Sequence, residues 1–390
     1  MTPRFLLVAG ARPNYIKIAP IYWAIRELNR LSETVEVDII HTGQHYDTAL
    51  SDDFFRDLDL PEPTVNLGAG SGSHAEQTAR VMTGFEKVLQ DHLADVVIVV
   101  GDVNSTAACA MVTAKAYGCS RSGTGRPLLA HVEAGLRSHD RAMPEEVNRL
   151  VTDTLSDVLL TASTDANDNL RSEGVHDDKV TLVGNTMVDS LLRSMAAAEQ
   201  EELPRAMQTS ANGSGYGLCT LHRPSNVDSR ETLSGIIAAL SEIATETPLF
   251  LPLHPRTRAR VESFGFGSHF QSLEDAGDNP RGIFVIEPLS YFQMLLAQRT
   301  SSFVLTDSGG LQEETTALGV PCVTIRENTE RPITITEGTN VLAGTSREGI
   351  VTSLIEARAK VSAGTRVPKF WDGHAGRRIV EDLVLRCSSK

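Results

Sequence analysis

Nearly every apolar run of this chain ends in a cluster of polar or glycine residues. In the first half the clusters read Gly10-Ala11-Arg12-Pro13, Thr42-Gly43-Gln44-His45, Gly101-Asp102 and His131-Val132-Glu133-Ala134-Gly135. In the second half they read His222-Arg223-Pro224, His254-Pro255-Arg256, Thr306-Asp307-Ser308-Gly309-Gly310 and Arg326-Glu327-Asn328. The string from Thr306 to Glu314 is the sharpest. An apolar run gives way to Ser-Gly-Gly and then to a helical pattern, which offers backbone N–H groups and a helix N-terminus to an anion. Glycines there let a diphosphate approach the backbone. Glu313 and Glu314 follow one turn later, where an acidic residue can accept hydrogen bonds from ribose hydroxyls or simply complement the helix dipole.

Acid–base chemistry has seven candidates: Asp102, Glu133, Glu145, Glu146, His45, His222 and His254. Buried carboxylates held close together are driven apart in pKa, which poises one as base and another as acid. Each candidate also has a plain structural role open to it. Asp102 suits a helix N-cap, His131 a core position, and Glu145 and Glu146 the first helical turn after Pro144. Arg12 and Lys17 are either phosphate contacts or surface charges of a first turn. Taken singly, each cluster is a turn built of turn-forming residues. Their recurrence in phase with the strands points instead to one functional cleft.

The elements that must position these groups follow from pattern. Strands are expected at 4–9, 35–40, 96–100, 127–132, 158–161 and 179–183, then at 217–221, 248–253, 282–286, 302–306, 320–325 and 340–342. Several lack polar breaks, as strands buried on both faces do. Helical patterns lie between them, for example 14–30, 74–91, 104–117, 144–157, 165–173, 186–199, 230–246, 290–298, 310–318 and 346–361. Strand–helix alternation implies βαβ units and parallel sheets. The expected fold is therefore α/β, with two Rossmann-like doubly wound lobes and a central cleft. The lobes are 1–190 and 216–368, joined by a polar connection over 191–215, with a final helix in 369–390. Ligands of such folds bind beyond the carboxyl ends of the strands, which is where the polar clusters fall.

Composition narrows the class. At 390 residues, 41% hydrophobic and 22% charged, the chain is an ordinary globular protein of two or more domains. The net charge of −14 disfavours nucleic acid or an anionic membrane as main partner. The five cysteines are an odd number, widely separated and without CxxC spacing, which suggests a reducing compartment and no metal site. No apolar stretch approaches the length of a membrane span, and the N-terminal run is too short for a signal peptide. A cytoplasmic protein is expected. The Gly10 loop lacks GxGxxG, no Gly-Lys dipeptide forms a P-loop, and HExxH does not occur, so NAD, P-loop and zincin chemistry have no support.

Together the strings GARPNYIKIAP, TGQH, GDVNST, HVEAGLRS…MPEEVNR, VGNTMVDSL, the His222-Arg223 pair, LTDSGGLQEE and ENTERPITITEGT resemble the non-hydrolysing UDP-N-acetylglucosamine 2-epimerase family. They run from about residue 8 to residue 344 in the family's order. The resemblance implies a glycosyltransferase-B-like architecture whose C-terminal helix crosses back to the first lobe, and a cytoplasmic homodimer. It implies inversion at C2 of a UDP-2-acetamido sugar without a cofactor. A base removes the C2 proton as UDP leaves C1, and UDP then adds back to the 2-acetamidoglycal. The implied acid–base set is Asp102, Glu133, Glu145 and His222. The implied UDP contacts are Arg12, Lys17, Ser308, Gly309, Gly310, Glu314 and Arg331, and Gln44, His45 and His254 mark a candidate second or allosteric site.

There are departures from the family pattern. The usual HRRE reads His222-Arg223-Pro224-Ser225, and the usual HxNP reads His254-Pro255-Arg256-Thr257. Residues 67–72 offer no arginine where the family's activator site would place one. Three alternatives stand beside UDP-GlcNAc epimerisation: a hydrolysing 2-epimerase releasing ManNAc and UDP, a 2-epimerase of a modified UDP-HexNAc, and a glycosyltransferase or inert sensor on the same scaffold.

Overall fold

A computed structural model describes residues 2–31, 35–44, 55–121, 125–277 and 280–388. The chain separates into two compact units, Met1–Leu192 with Lys369–Lys390, and Arg193–Pro368.

The first unit is built on seven parallel strands: β1 (Arg4–Ala9), β2 (Glu36–His41), β3 (Val65–Asn66), β4 (Val96–Val100), β5 (Leu128–Ala134), β6 (Val158–Thr161) and β7 (Val180–Leu182). They lie in the order β3-β2-β1-β4-β5-β6-β7. Every residue of β4 is buried, which is why its sequence is an unbroken Val-Val-Ile-Val-Val. The order reverses direction between β1 and β4, the switch point where doubly wound sheets bind ligands. Asn14 ties this point together. Its Oδ1 accepts from the N–H groups of Gly10 and Ala11, at 3.0 and 2.9 Å, and its Nδ2 donates to the carbonyl of Val100 at 3.1 Å.

The C-terminal helix Ala375–Ser388 packs on the helix Arg12–Leu31 within this unit. Pro20 lies inside the latter helix and has no N–H to offer the carbonyl of Ile16, four residues back. The hydroxyl of Ser190 donates to that carbonyl instead, at 2.5 Å. The neighbouring Asp189 accepts from the N–H of Gly376 at 2.8 Å, and Gly376 sits so close to the carbonyl of Pro20 that a Cβ would strike it. The Val-Asp-Ser string of the sequence is thus the seat of the C-terminal helix.

The second unit has its own seven parallel strands: β8 (Gly217–Thr220), β9 (Leu249–Pro252), β10 (Phe270–Ser272), β11 (Ile283–Ile286), β12 (Phe303–Thr306), β13 (Cys322–Thr324) and β14 (Asn340–Leu342). Their order is β10-β11-β9-β8-β12-β13-β14, so the switch point falls between β8 and β12. Two apolar clusters cover the sheet, one including Leu233, Ile236, Leu240, Val261 and Leu354, the other Met207, Tyr216, Phe250, Phe284 and Ala297.

The doubly wound α/β architecture is the one the sequence implies. Four elements stand outside that expectation. β3 and β10 are edge strands of two and three residues, too short to show alternation. The helix Arg205–Asn212 lies in the polar stretch read as a connection, and only Met207 and Ser210 of it are buried. The helix Pro255–Ser263 follows the His254 cluster and has little apolar surface to announce it.

Candidate functional site

At the first unit's switch point the turn after β4 carries Gly101 and Asp102. Gly101 has φ +65°, and a Cβ there would lie 2.9 Å from Lys17 Nζ and 3.4 Å from Glu133 Oε2. Glycine is needed for both the left-handed backbone and the close approach. Lys17 and Glu133 form a buried ion pair. Glu133 itself has φ +72°, and the β5–β6 register shifts between Val132 and Ala134. A non-glycine residue in that region costs about 1–3 kcal/mol and marks a bulge that re-aims a side chain. Strand alternation would send Glu133 the way of His131, two residues earlier. His131 meets Asp153 of the helix Pro144–Leu155, whereas Glu133 meets Lys17 of the helix Arg12–Leu31. The bulge breaks the alternation and turns the carboxylate toward the lysine.

Asp102 pairs with Arg149, a guanidinium almost wholly buried, which also reaches Glu146 at 2.7 Å. Asn148 donates to the carbonyl of Asp102 at 2.9 Å. Glu146 is buried and accepts from the N–H groups of Ser138 and His139 at 3.0 and 2.9 Å. Burial opposes its charge, but those amides and Arg149 hold its pKa below the usual carboxylate range. Its work is to pin the Leu136–Asp140 loop and Arg149. Glu145, one residue earlier, is exposed. Helical geometry sends adjacent side chains about 100° apart, so only one of the pair faces the interior.

The second unit's switch point holds His222 after β8 and Asp307 after β12. Asp307 is wholly buried. It accepts from the N–H of His222 at 3.0 Å, the N–H of Arg223 at 2.8 Å and Nδ2 of Asn226 at 3.2 Å, and pairs with Nδ1 of His222 at 2.8 Å. Burial works against this charge, yet His222 and the two amides hold the pKa below the usual carboxylate range. An aspartate on Nδ1 fixes the orientation of the ring and leaves Nε2 for chemistry. The His254 ring lies 6.0 Å from that of His222. Burial, then the charges of His222 and Arg256, lower the His254 pKa, and its Nδ1 caps the helix Pro255–Ser263 by accepting from the N–H of Arg256 at 3.2 Å.

Ser308 is the N-cap of the helix Gly309–Leu318. A Cβ on Gly309 would lie 2.6 Å from Nη1 of Arg331 and 2.9 Å from Oε1 of Glu330. Arg331 pairs with Glu330 and, at 3.0 Å, with Glu313. Arg326 reaches Glu330 at 2.8 Å, and Arg223 approaches it at 3.8 Å. Three guanidiniums thus cluster around Glu330 and Glu313, with the Asp307 carboxylate beside Arg223. Nη1 of the buried Arg326 has no hydrogen-bond partner among the described residues. Burial opposes the Glu330 charge, but Arg331 and Arg326 hold its pKa far below the usual range. Burial, then the charge of Arg326, lowers the Arg223 pKa. The clustered guanidiniums and the helix N-terminus together suit a diphosphate. Glu314 lies one turn into the helix, buried, and accepts from Nε2 of Gln298 at 2.7 Å. Burial, then the charge of Glu313, pushes its pKa up to about 7.

The structure therefore gathers Lys17, Asp102 and Glu133 at one switch point, and His222 and His254 at the other, with Ser308, Gly309, Gly310 and Arg331 around the second unit's cradle. Gln44 is buried, and its Oε1 accepts from the hydroxyl and the N–H of Ser105 at 2.7 and 3.2 Å. The side chain of Arg12 and all of His45 lie outside the described residues. The sequence showed Arg223, Asp307 and Arg326 only as members of polar clusters, without a role, and did not single out Arg149 or Glu330. Asp307 and Arg149 sat inside the strings TDSGG and PEEVNR, where an acceptor next to a glycine turn and an arginine one turn after two glutamates were the available signals.

Comparison with known proteins gives concordant matches. The family model described as UDP-N-acetylglucosamine 2-epimerase matches residues 26–384. A protein of Methanocaldococcus jannaschii named UDP-N-acetylglucosamine 2-epimerase is 39% identical over 381 residues, 97% of this chain and 98% of its own length. A Pseudomonas aeruginosa protein named UDP-2,3-diacetamido-2,3-dideoxy-D-glucuronate 2-epimerase is 38% identical over 388 residues, 98% and 99% of the two chains. A crystal structure of the M. jannaschii UDP-GlcNAc 2-epimerase with UDP-GlcNAc and UDP superposes with a TM-score of 0.82 at 38% identity, covering 98% of this chain and 99% of that one.

Proposed function

The chain belongs to the UDP-N-acetylglucosamine 2-epimerase family, and from that premise we propose that it interconverts UDP-GlcNAc and UDP-ManNAc by eliminating and re-adding UDP. Glu133 or Asp102 takes the C2 proton. The C1–O bond breaks with its electron pair leaving on the β-phosphate of UDP, and C1–C2 becomes the double bond of a 2-acetamidoglycal. UDP then re-forms the C1–O bond while a proton reaches C2 from the opposite face. Oxidation state is unchanged, and the reaction as written uses no cofactor.

The observation that carries this proposal is the clustering of three guanidiniums, Arg223, Arg326 and Arg331, beside the helix N-terminus at Gly309. A leaving diphosphate develops charge in the transition state, and preorganised donors there lower the barrier most. Ser308, Gly309, Gly310 and Arg331 hold the diphosphate, and His222 neutralises or protonates it through Nε2. Arg12 and Lys17 add cationic contacts, and Glu314 takes the ribose hydroxyls. Asp102, Glu133 and Glu145 form the acid–base set, and Gln44, His45 and His254 a second sugar-nucleotide site. The protein acts as a cytoplasmic homodimer, in keeping with its family resemblance.

Proton NMR with UDP-GlcNAc in D2O tests the chemistry. A UDP-linked manno sugar carrying deuterium at C2 is expected, and Glu133→Gln removes turnover while UDP still binds. Free ManNAc and UDP would identify a hydrolysing enzyme instead. The Pseudomonas relative favours one second reading, a UDP-2,3-diacetamido uronate as substrate. Turnover of that sugar with none of UDP-GlcNAc would establish it.

A further inference from the structure

His131, a titratable group of the first unit, has no exposed surface. Its Nδ1 lies 2.6 Å from Oδ1 of Asp153, and its Nε2 lies 2.8 Å from the carbonyl oxygen of Gly101. A carbonyl oxygen only accepts, so Nε2 carries a hydrogen. A carboxylate also only accepts, so Nδ1 carries one too unless Asp153 holds the proton. Asp153 is engaged as an anion. Its Oδ2 lies 2.7 Å from Nη2 of Arg137 and accepts from the N–H of Gly135 at 3.1 Å. Burial opposes the Asp153 charge, but His131 and Arg137 outweigh it and keep the pKa below the usual range.

We infer that His131 is a buried imidazolium that positions two of the proposed acid–base carboxylates, Asp102 and Glu133, through the Gly101 peptide. The peptide it grips begins the turn that carries Asp102, and Gly101 packs directly against the Lys17–Glu133 pair. A neutral imidazole donates from only one nitrogen. It would leave either the Gly101 carbonyl or the Asp153 carboxylate without its hydrogen bond in the interior. The doubly protonated ring satisfies both and adds a fixed positive charge two residues from Glu133. The charged groups facing this assembly are Asp153 and Arg137, with Glu173 bound to Arg137 at 2.7 Å. Lys17 faces Glu133, and Arg149 with Glu146 stands behind Asp102.

The assignment of charge is independent of the proposed reaction, whereas the positioning role rests on it, and two measurements separate them. The full-length enzyme labelled with 15N-histidine is followed by long-range proton–nitrogen correlation from about pH 6 to about pH 9. One histidine should keep both ring nitrogens protonated throughout, and Asp153→Asn should move that signal. If every histidine is neutral or titrates across this range, the inference is overturned whatever the enzyme catalyses. The second measurement is the pH profile of C2 exchange in His131→Asn. Losing the cation makes Glu133 easier to protonate, so the acid limb should move up by about half to one pH unit, with kcat falling more than KM rises. A uniform loss of activity with an unmoved acid limb would show a purely structural residue and refute the positioning role. Should His131→Asn fail to fold, the NMR measurement still decides the charge, and His131→Gln, which offers an amide donor to the Gly101 carbonyl without the cation, supplies the pH profile. Its acid limb should move the same way.

Discussion

Gly309→Ala should weaken UDP binding with little effect on the fold. The new Cβ would sit 2.6 Å from Nη1 of Arg331 and 2.9 Å from Oε1 of Glu330. Ordinary contact is nearer 3.5–4 Å, so the guanidinium must retreat by roughly 1 Å. It cannot do so freely, because Glu330 and Glu313 hold it from two sides. A displaced Arg331 loses the charge-assisted hydrogen bond to phosphate proposed for it, which is worth about 1.5–3 kcal/mol. That converts to roughly 10- to 150-fold in Kd. Replacing glycine within a helix returns up to about 1 kcal/mol of propensity, which offsets strain in the ion pairs and keeps Tm within a few degrees. Calorimetric titration with UDP, beside a thermal melt, measures both. Arg331→Ala should weaken UDP similarly, and the double variant should lose little more than either alone, because both act through one contact. An unchanged UDP Kd in Gly309→Ala would refute the reasoning, as would losses that add fully.

Three further outcomes follow from the geometry. Ser190→Ala leaves the Ile16 carbonyl, already deprived of a helical partner by Pro20, without a donor in the interior, and should cost about 1–3 kcal/mol in a denaturant melt. Gly376→Ala drives a Cβ into the Pro20 carbonyl and should lower stability by a similar amount; limited proteolysis should then release the C-terminal helix first. Stability should fall on both sides of about pH 5. Glu314 is raised to about 7 by burial and Glu313, and Asp189 to about 6 by burial. Such groups bind their protons more tightly when folded, so stability present at acid pH is lost as pH rises through that window. Asp153, Asp307 and Glu330 are held low, and their contribution is lost as pH falls below the ordinary carboxylate range. Glu314→Gln should flatten the upper limb and gain on the order of 3 kcal/mol near pH 8; an unaltered limb would show that the buried carboxylate keeps its ordinary affinity for protons.

The architecture was legible because parallel strands buried on both faces announce themselves as apolar runs, and β4 and β6 begin and end where pattern places them. The site was legible in outline for a related reason. A doubly wound sheet delivers every strand's carboxyl end to one edge, so polar clusters there collect without any knowledge of packing. What pattern could not supply was orientation. In Pro144-Glu145-Glu146 the residue types are identical, and only the placement of the helix makes Glu146 a buried clamp on the Ser138 and His139 amides while Glu145 faces solvent. At His131 and Glu133 the alternation rule gives the wrong answer, because one left-handed residue reverses the side chain that follows from spacing. That exception is itself informative. A glutamate held at φ +72° against a lysine, beside a glycine that nothing larger can replace, is strain located where the chemistry is proposed. Relaxing it would return Glu133 to the direction of Asp153, where His131 points, and away from Lys17. The bulge is therefore the feature that places a carboxylate at the switch point, and its position one residue before the end of β5 is what joins this fold to this reaction.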